Sequence, residues 1–370
     1  MKGETYKVKL LYVDPICYKA HAYYNKRNVE ILSEICELSV LFTKNYIDTS
    51  GISLDKVYEY RTPQKYFIEF NPHNNALIKR LVNKIGQIKI INEIKNLIKK
   101  QRYDLIFFSG VDMHVFSRLT KHLKNPIAFV EHAIYRTLIH KGIKKCWKII
   151  NKSFKVCVFE DYIAKYLKEQ LHVKNDVFVV HHPICGVEQD VDNVVLSQNE
   201  SVNVLAPAFS NSKEIIDEII AKSNALKDNV KIAIKGQVPY SDGRIEIFSG
   251  FIPRERYTQL FVDSDYILIP YNKDFMFRAS GVLFDSIIRK KRIILIGGNT
   301  LEYYGEKYPN IIKIVRDVDE LINYLNNSTR ESVMLEYNEL FYKDVKSFLN
   351  DYSDKVISKD YKRLLESVNQ

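Results

Sequence analysis

Strand and helix patterns alternate along nearly the whole chain, and this alternation restricts the fold more than any single motif does. Residues 7–14 (Lys-Val-Lys-Leu-Leu-Tyr-Val-Asp) read as a first strand, 22–35 as a helix, 37–43 as a second strand and 57–61 as a third. A long helix is expected over about 75–101, where Ile78, Leu81, Val82, Ile85 and Ile88 recur at helical spacing. A strand at 103–110 follows, then helix 112–123, strand 126–131, helix 136–152, strand 154–159, helix 162–171 and strand 177–180. Residues 185–200 are polar, acidic and weakly periodic, and read as a linker. The alternation restarts with strand 202–206, helix 213–226, strands 230–234 and 245–248, helix 254–263, strand 266–270, helix 281–290 and strand 292–297. A short helix near 300–307, strand 311–315, helix 317–326 and a helical tail over 330–370 complete it, with Leu335, Leu340, Phe341 and Phe348 as packing residues of the tail.

Such alternation in both halves predicts two parallel-sheet α/β domains, which the length of 370 residues accommodates. The boundaries expected are 1–184, a linker at 185–200, 201–350, and a final helix at 351–370 that packs back on the first domain. Parallel sheets of this kind bind ligands at the carboxyl ends of their strands, and two facing each other are expected to form a cleft.

Charge is uneven along the chain. Residues 1–150 hold 26 Lys and Arg against 13 Asp and Glu, whereas residues 151–370 hold 29 against 32. A basic half points to a polyanionic partner such as nucleic acid, anionic lipid or a phosphorylated acceptor; the plainer reading is a solvated face. No apolar run approaches the ~20 residues needed to span a bilayer. The first residues carry no signal-peptide pattern, and five scattered cysteines contain no Cys-x-x-Cys pair. A reducing, cytoplasmic setting is therefore expected. Dinucleotide-binding, P-loop, nucleophile-elbow and His-Glu-x-x-His motifs are absent. The adjacent pair His181-His182 has no partners at ligand spacing, so no metal site is expected.

The richest segment runs from Phe248 to Gly298. A strand over 266–270 leads through a loop with Phe277 and Arg278 into a helix that starts near Ser280 and Gly281. Serine caps a helix start, glycine lets a ligand approach the backbone, and the free amides there favour a phosphate. Arg278 stands ready to neutralise such a charge, and Asp285 lies one turn inside the helix, within reach of a ribose hydroxyl. The plainer reading is an ordinary capped helix.

With Gly250, Ser264-Asp265, Pro270-Tyr271 and Asp285 in this order, the chain resembles a GT-B glycosyltransferase, nearest the large family-4-type group (glycosyl transferases group 1). The resemblance spans both halves and is most specific over 246–298. It implies that Asp285, standing for the family's second motif Glu, holds the nucleotide ribose. The first motif Glu falls on Phe277 and is lost. Lys213 matches a lysine on the donor diphosphate, while the companion Arg has no counterpart near Ala208 and Phe209. A lysine in a helix's first turn is locally unfavourable unless an anion is present, which favours the functional reading. Lys235, with Gly236, ends the next strand where the family has Val-Gly. Phe251 and Ile252 match the stretch whose backbone reads the base, and Arg256 or Tyr257 is available to stack there. In the first domain the family's Gly-Gly turn is replaced by Asp14-Pro-Ile-Cys17, and Glu131-His132 matches the family's histidine facing the sugar. His132 is thus the candidate base or hydroxyl-polarising group, with Asp112 and His114 weaker candidates.

The resemblance implies transfer of a sugar from a nucleotide diphosphate sugar, most simply a UDP-sugar, to a hydroxyl of a surface glycan acceptor that is lipid-linked or protein-linked. The donor is a substrate; no cofactor is expected, and basic groups with a helix start carry the leaving-group charge without a metal. Helices 136–152 and 75–101 give the basic half a surface for an anionic membrane, consistent with a peripheral place on the inner face of the plasma membrane. The alternatives are lysines simply pointing to water, a non-catalytic GT-B subunit that stabilises a partner enzyme, and a nucleotide-sugar epimerase. Nucleic-acid binding is not expected, since aromatic and basic residues are not interleaved.

Overall fold

The computed structural model describes residues 7–67, 71, 73–132, 134, 141–185, 200–208, 211–250, 252–272 and 275–368. It divides into two compact units, Met1–Cys185 with Tyr352–Gln370, and Gly186–Asp351. The expected linker lies, but for its two ends, outside the described residues.

The first unit is built on seven strands: β1 (Lys9–Val13), β2 (Glu37–Phe42), β3 (Lys56–Glu59), β4 (Leu105–Phe108), β5 (Ile127–Val130), β6 (Lys155–Val158) and β7 (Val177–Val179). Their order is β3-β2-β1-β4-β5-β6-β7, all parallel. Strands covered on both faces read as unbroken apolar runs, and β4 (Leu-Ile-Phe-Phe) and β5 (Ile-Ala-Phe-Val) are fully buried. Leu10 of β1 sits between Leu38 and Leu105, and Tyr12 stacks on Phe107 at 5.3 Å. The helix Asp354–Glu366 belongs to this unit: Tyr361 donates its hydroxyl to Asn28 Oδ1 at 2.6 Å and Arg27 pairs with Asp354.

The second unit has β8 (Val202–Ala206), β9 (Val230–Lys235), β10 (Tyr240–Ser241), β11 (Ile245–Phe248), β12 (Tyr266–Ile269), β13 (Arg292–Ile296) and β14 (Ile312–Val315). The order is β10-β11-β9-β8-β12-β13-β14, parallel except for β10. The core between this sheet and its helices is mostly Val, Ile and Leu, among them Val204, Ile219, Ile232, Ile294 and Leu321.

The packing defines the face of one expected helix and corrects two other expectations. In the helix Ala76–Lys100 the buried residues are Gly86, Gln87, Ile90, Ile91, Ile94 and Ile98, whereas Ile78, Leu81, Ile85 and Ile88 are exposed. Ile78, Leu81, Ile85 and Ile88 thus mark a face in water over the first turns. In the tail, Phe341 and Phe348 are buried while Leu335 and Leu340 stand exposed. The stretch expected as one helix at 162–171 is an α-helix Asp161–Lys165 that widens into a π turn over Tyr166–Gln170. Of the basic helix at 136–152, the described part Lys141–Ile149 buries Ile143, Cys146 and Trp147, with Trp147 6.1 Å from Phe129 and Lys144, Lys145 and Lys148 exposed. That segment therefore packs its apolar stripe inward; Ile139 lies outside the described residues. Among the described residues no helix is long and apolar enough to cross a membrane.

Candidate functional site

In each sheet the strand order reverses once, between β1 and β4 and between β8 and β12. At such a point neighbouring loops diverge and leave a crevice at the strand carboxyl ends. The described candidate residues lie at strand carboxyl ends or in the loops and helices that follow them, each described within its own unit.

At the edge of the second unit, β8 leads to the helix Lys213–Ala221 and β12 to the helix Gly281–Ile288. The two loops are tied, since Ser212 N–H donates to the Pro270 carbonyl at 2.9 Å. Asn211 Nδ2 bridges the last carbonyls of two strands, Ala206 O at 2.9 Å and Lys235 O at 3.0 Å. Its Oδ1 is buried and has no hydrogen-bond partner among the described residues. A cavity of about 300 Å³ opens here, lined by Asn211, Lys213, Lys235, Gly236, Tyr240 and Ile247 among others. Lys213 Nζ pairs with Asp217 one turn on. Burial pulls the Lys235 ammonium below its ordinary range, so this amine gains from an incoming anion. Gly236 is required by crowding: a Cβ would lie 2.6 Å from Ile247 Cγ2.

The loop after β12 carries the other predicted donor residues, which do not line that cavity. Ser280 Oγ accepts from Leu283 N–H at 3.2 Å and caps the helix as expected. Gly281 is exposed, and a Cβ there would meet nothing within 4 Å. The guanidinium of Arg278 lies 4.8 Å over the Phe275 ring, which in turn packs 4.1 Å from Tyr271. Phe277 holds a left-handed backbone, φ 54°, and its N–H donates to Thr300 Oγ1 at 2.8 Å. A bulky residue there is strained, a condition that persists only where the surroundings impose it. Burial pushes the Asp285 carboxyl up to about 6, against the pull of Arg289 and of the Tyr257 hydroxyl. Ile252 is half-buried beyond Gly250, whose φ of 87° suits glycine alone; Phe251 lies outside the described residues.

At the edge of the first unit, His132 Nε2 donates to the Ser109 carbonyl at 2.6 Å. In the neutral ring this leaves the basic lone pair on Nδ1. The ring stacks on His21 at 4.7 Å and meets Phe159 at 5.1 Å and Tyr24 at 5.4 Å. His182 lies against Tyr24 and Phe159, and burial pushes its ring down to about 4. Asp112 is the N-cap of the helix Met113–Leu119, its Oδ1 accepting from His114 N–H and Val115 N–H. That structural duty weakens it as a base, and His114 Nδ1 instead faces Cys146 Sγ at 3.6 Å. Where the resembled family has Gly-Gly, buried Asp14 organises the turn: Oδ1 accepts from Ile16 and Cys17 N–H and Oδ2 from Asn25 and Tyr46. Cys17 takes the left-handed backbone, φ 46°. The turn that glycine makes freely is thus made here at a cost in strain.

Sequence reasoning missed Asn211 and the His21–His132 stack, because a lone Asn in a loop and two distant histidines carry no spacing signal. Among the described residues no three His, Cys, Asp or Glu come together as metal ligands.

The two units together have the GT-B glycosyltransferase fold. A sucrose-phosphate synthase of Thermosynechococcus elongatus is similar over 97% of this chain and 99% of its own, with a TM-score of 0.61 at 10% identity. HepE of Anabaena, solved in complex with UDP, is similar over 97% and 100%, with a TM-score of 0.58 at 10% identity. UGT89C1 of Arabidopsis thaliana, solved with quercetin, is similar over 98% and 100%, with a TM-score of 0.60 at 12% identity. No protein-family model matches the chain, and no curated protein matches it in sequence. At these identities the likeness is one of fold.

Proposed function

We propose that the protein is a glycosyltransferase that moves a sugar from a nucleotide diphosphate sugar, a UDP-sugar first among them, to a hydroxyl of a glycan acceptor. The observation that carries this reading is the edge of the second unit, where Lys213 and Lys235 share a cavity and a capped, glycine-led helix starts on the adjoining loop. That inventory suits a diphosphate: two ammonium groups, a guanidinium at Arg278 and helix-start amides at Ser280 and Gly281. Asp285, its carboxyl raised by burial to about 6, is the ribose contact, and Ile252 with Phe251 is the stretch for the base. A fold shared with HepE, which was solved with UDP, supports the choice of donor.

In the mechanism, His132 Nδ1 takes the proton of the acceptor hydroxyl as that oxygen attacks the anomeric carbon, while the bond to the diphosphate breaks. The negative charge that develops on the diphosphate is met by Lys213, Lys235 and Arg278. These cations and amides do the work without a metal. The acceptor is a surface polysaccharide intermediate, lipid-linked or protein-linked, and the basic first unit meets an anionic membrane on its cytoplasmic face.

The test is a thermal-shift panel with UDP, GDP, CMP, dTDP and ADP, without metal and then with magnesium. Ligand at roughly 100 times its dissociation constant stabilises by about 2.7 kcal/mol. One nucleotide raising the melting temperature, with the rise lost in Arg278→Ala, supports the donor site. Phe277 in place of the motif Glu favours a second reading, a non-catalytic subunit; no shift with any nucleotide, and turnover only beside a partner enzyme, moves the assignment there.

A further inference from the structure

We propose that the first three turns of the helix Ala76–Lys100 form an in-plane anchor whose exposed apolar face lies on an anionic lipid surface. This deepens the membrane contact proposed above by naming the element and the face. At 100° per residue, Leu77, Ile88, Leu81, Ile85 and Ile78 fall within one arc of about 100°. All five are exposed, between 39% and 75%. The buried side of the helix starts only at Gly86, so among the described residues these turns carry an apolar stripe left exposed. A contiguous stripe of this kind on a water-exposed helix marks an interaction surface.

The length of the helix explains why the stripe is free. Twenty-five residues span about 37 Å, while strands of four to six residues span about 13–20 Å. The helix leads from the end of β3 back to the start of β4, so its first residue is at the strand carboxyl edge. Gln87 Nε2 donates to the Pro15 carbonyl at 2.8 Å, in the turn that follows β1. Residue 87 is therefore level with that edge, and the eleven residues before it overhang by about 16 Å. The overhang keeps its helical form through its own contacts. Asn75 Oδ1 accepts from Leu77 and Ile78 N–H, and Asn71 Nδ2 donates to Lys79 O and Asn83 Oδ1.

Charge selects the occupant. Arg80 and Lys84 border one side of the arc and Lys89 the other, all exposed. The helix has no acid before Glu93, whose carboxylate is engaged by Arg61 N–H and by Thr62. An apolar arc between basic borders complements anionic headgroups over acyl chains, and repels a basic partner. Anchored this way, the unit holds the strand edge that carries His132 close to the lipid surface, where a lipid-linked hydroxyl is presented.

The test is co-sedimentation of the full chain with vesicles of phosphatidylcholine alone, or of equal parts phosphatidylcholine and phosphatidylglycerol. The chain is expected to sediment with the anionic vesicles and less so as salt rises. Leu81→Glu with Ile85→Glu is expected to lower the bound-to-free ratio roughly tenfold or more, and Arg80→Glu with Lys84→Glu comparably. These positions are exposed, so the melting temperature and any nucleotide-induced shift are expected to stay as in the wild type. A wild-type chain that stays in the supernatant, or an apolar-face variant that sediments like it, overturns the anchor. So does a concentration-dependent dimer abolished by the same variants without vesicle binding, which assigns the face to a second copy. Failure of the donor reading shows separately, as loss of the nucleotide shift with vesicle binding intact.

Discussion

The Tyr257 hydroxyl donates to Oδ2 of Asp285 at 3.2 Å, so the carboxyl assigned to the ribose is held from within its own unit before any ligand arrives. Burial raises this carboxyl to about 6, above its unfolded value near 3.9. The folded state thus binds the proton more tightly than the unfolded one. Its contribution favours folding below about pH 4 and is lost as pH rises toward 6, leaving a net penalty at neutral pH. Asp285→Asn keeps an acceptor for Tyr257 and removes that penalty. It is expected to stabilise the chain by about 1–3 kcal/mol near pH 7.5 and by little near pH 4. The same variant is expected to weaken nucleotide binding, a trade of function against stability. Melting curves at the two pH values and a nucleotide titration check both parts; a variant that melts lower than the wild type at pH 7.5 sinks the argument.

Gly86 sits inside a long helix, where alanine is ordinarily better by about 1 kcal/mol. Here a Cβ would lie 2.2 Å from the Tyr66 carbonyl oxygen and 2.9 Å from its Cβ. Both are parts of a chain segment that has little room to move. Gly86→Ala is therefore expected to destabilise by about 1–3 kcal/mol, read from urea unfolding. Stabilisation instead would show that the helix rides free of residue 66.

The architecture was legible because the inner strands of both sheets are parallel and mostly buried, which writes strands as apolar runs and helices as gaps between them. The helix Ala22–Ile35 and the strand Val202–Ala206 fall where the residue pattern puts them. The two-residue edge strand Tyr240–Ser241 was not legible, since a pairing that short has no period. Which face of the helix Ala76–Lys100 is buried was not legible, because amphipathicity reports a face, and tertiary structure decides what meets it. At the candidate site, Ser280 was legible as a cap because capping is local. The bridge made by Asn211 between Ala206 and Lys235 joins residues far apart in the chain, and only the sheet order brings them together.

His181 Nδ1 and Asp360 Oδ2 meet at 2.7 Å, joining the second residue after β7 to the helix Asp354–Glu366. Burial alone lowers the imidazole, but the hydrogen bond and charge of Asp360, with Glu160 and Asp161, outweigh it and raise the ring above its ordinary value. Burial likewise opposes the Asp360 carboxylate, and His181 and Arg363 pull it below its ordinary range. The raised histidine stabilises below about pH 6.5 and loses this as pH rises through its folded pKa; the depressed carboxylate stabilises above about pH 3.9. Their window of joint action lies between. His181→Gln is expected to lower the melting temperature most near pH 5–6, with a deficit that narrows above pH 8. A deficit that does not change with pH would mean that the pair acts by packing alone.

Lys213 and Asp217 form an exposed ion pair one turn apart, and both line the cavity of the second unit. An exposed pair of this kind adds at most about 1 kcal/mol to stability, so neither residue is needed for the fold. Their effect on an anion is opposite in sign: the ammonium attracts it, and the carboxylate repels it and competes for the same ammonium. Lys213→Ala is expected to weaken binding of the preferred nucleoside diphosphate about tenfold, and Asp217→Asn to strengthen it severalfold. Both effects are expected to shrink as salt rises, because the groups face water. Calorimetric titration of each variant at two salt concentrations reads this directly. Equal affinity in wild type and both variants would remove the cavity from the diphosphate site and leave the loop of Arg278, Ser280 and Gly281 to hold it alone.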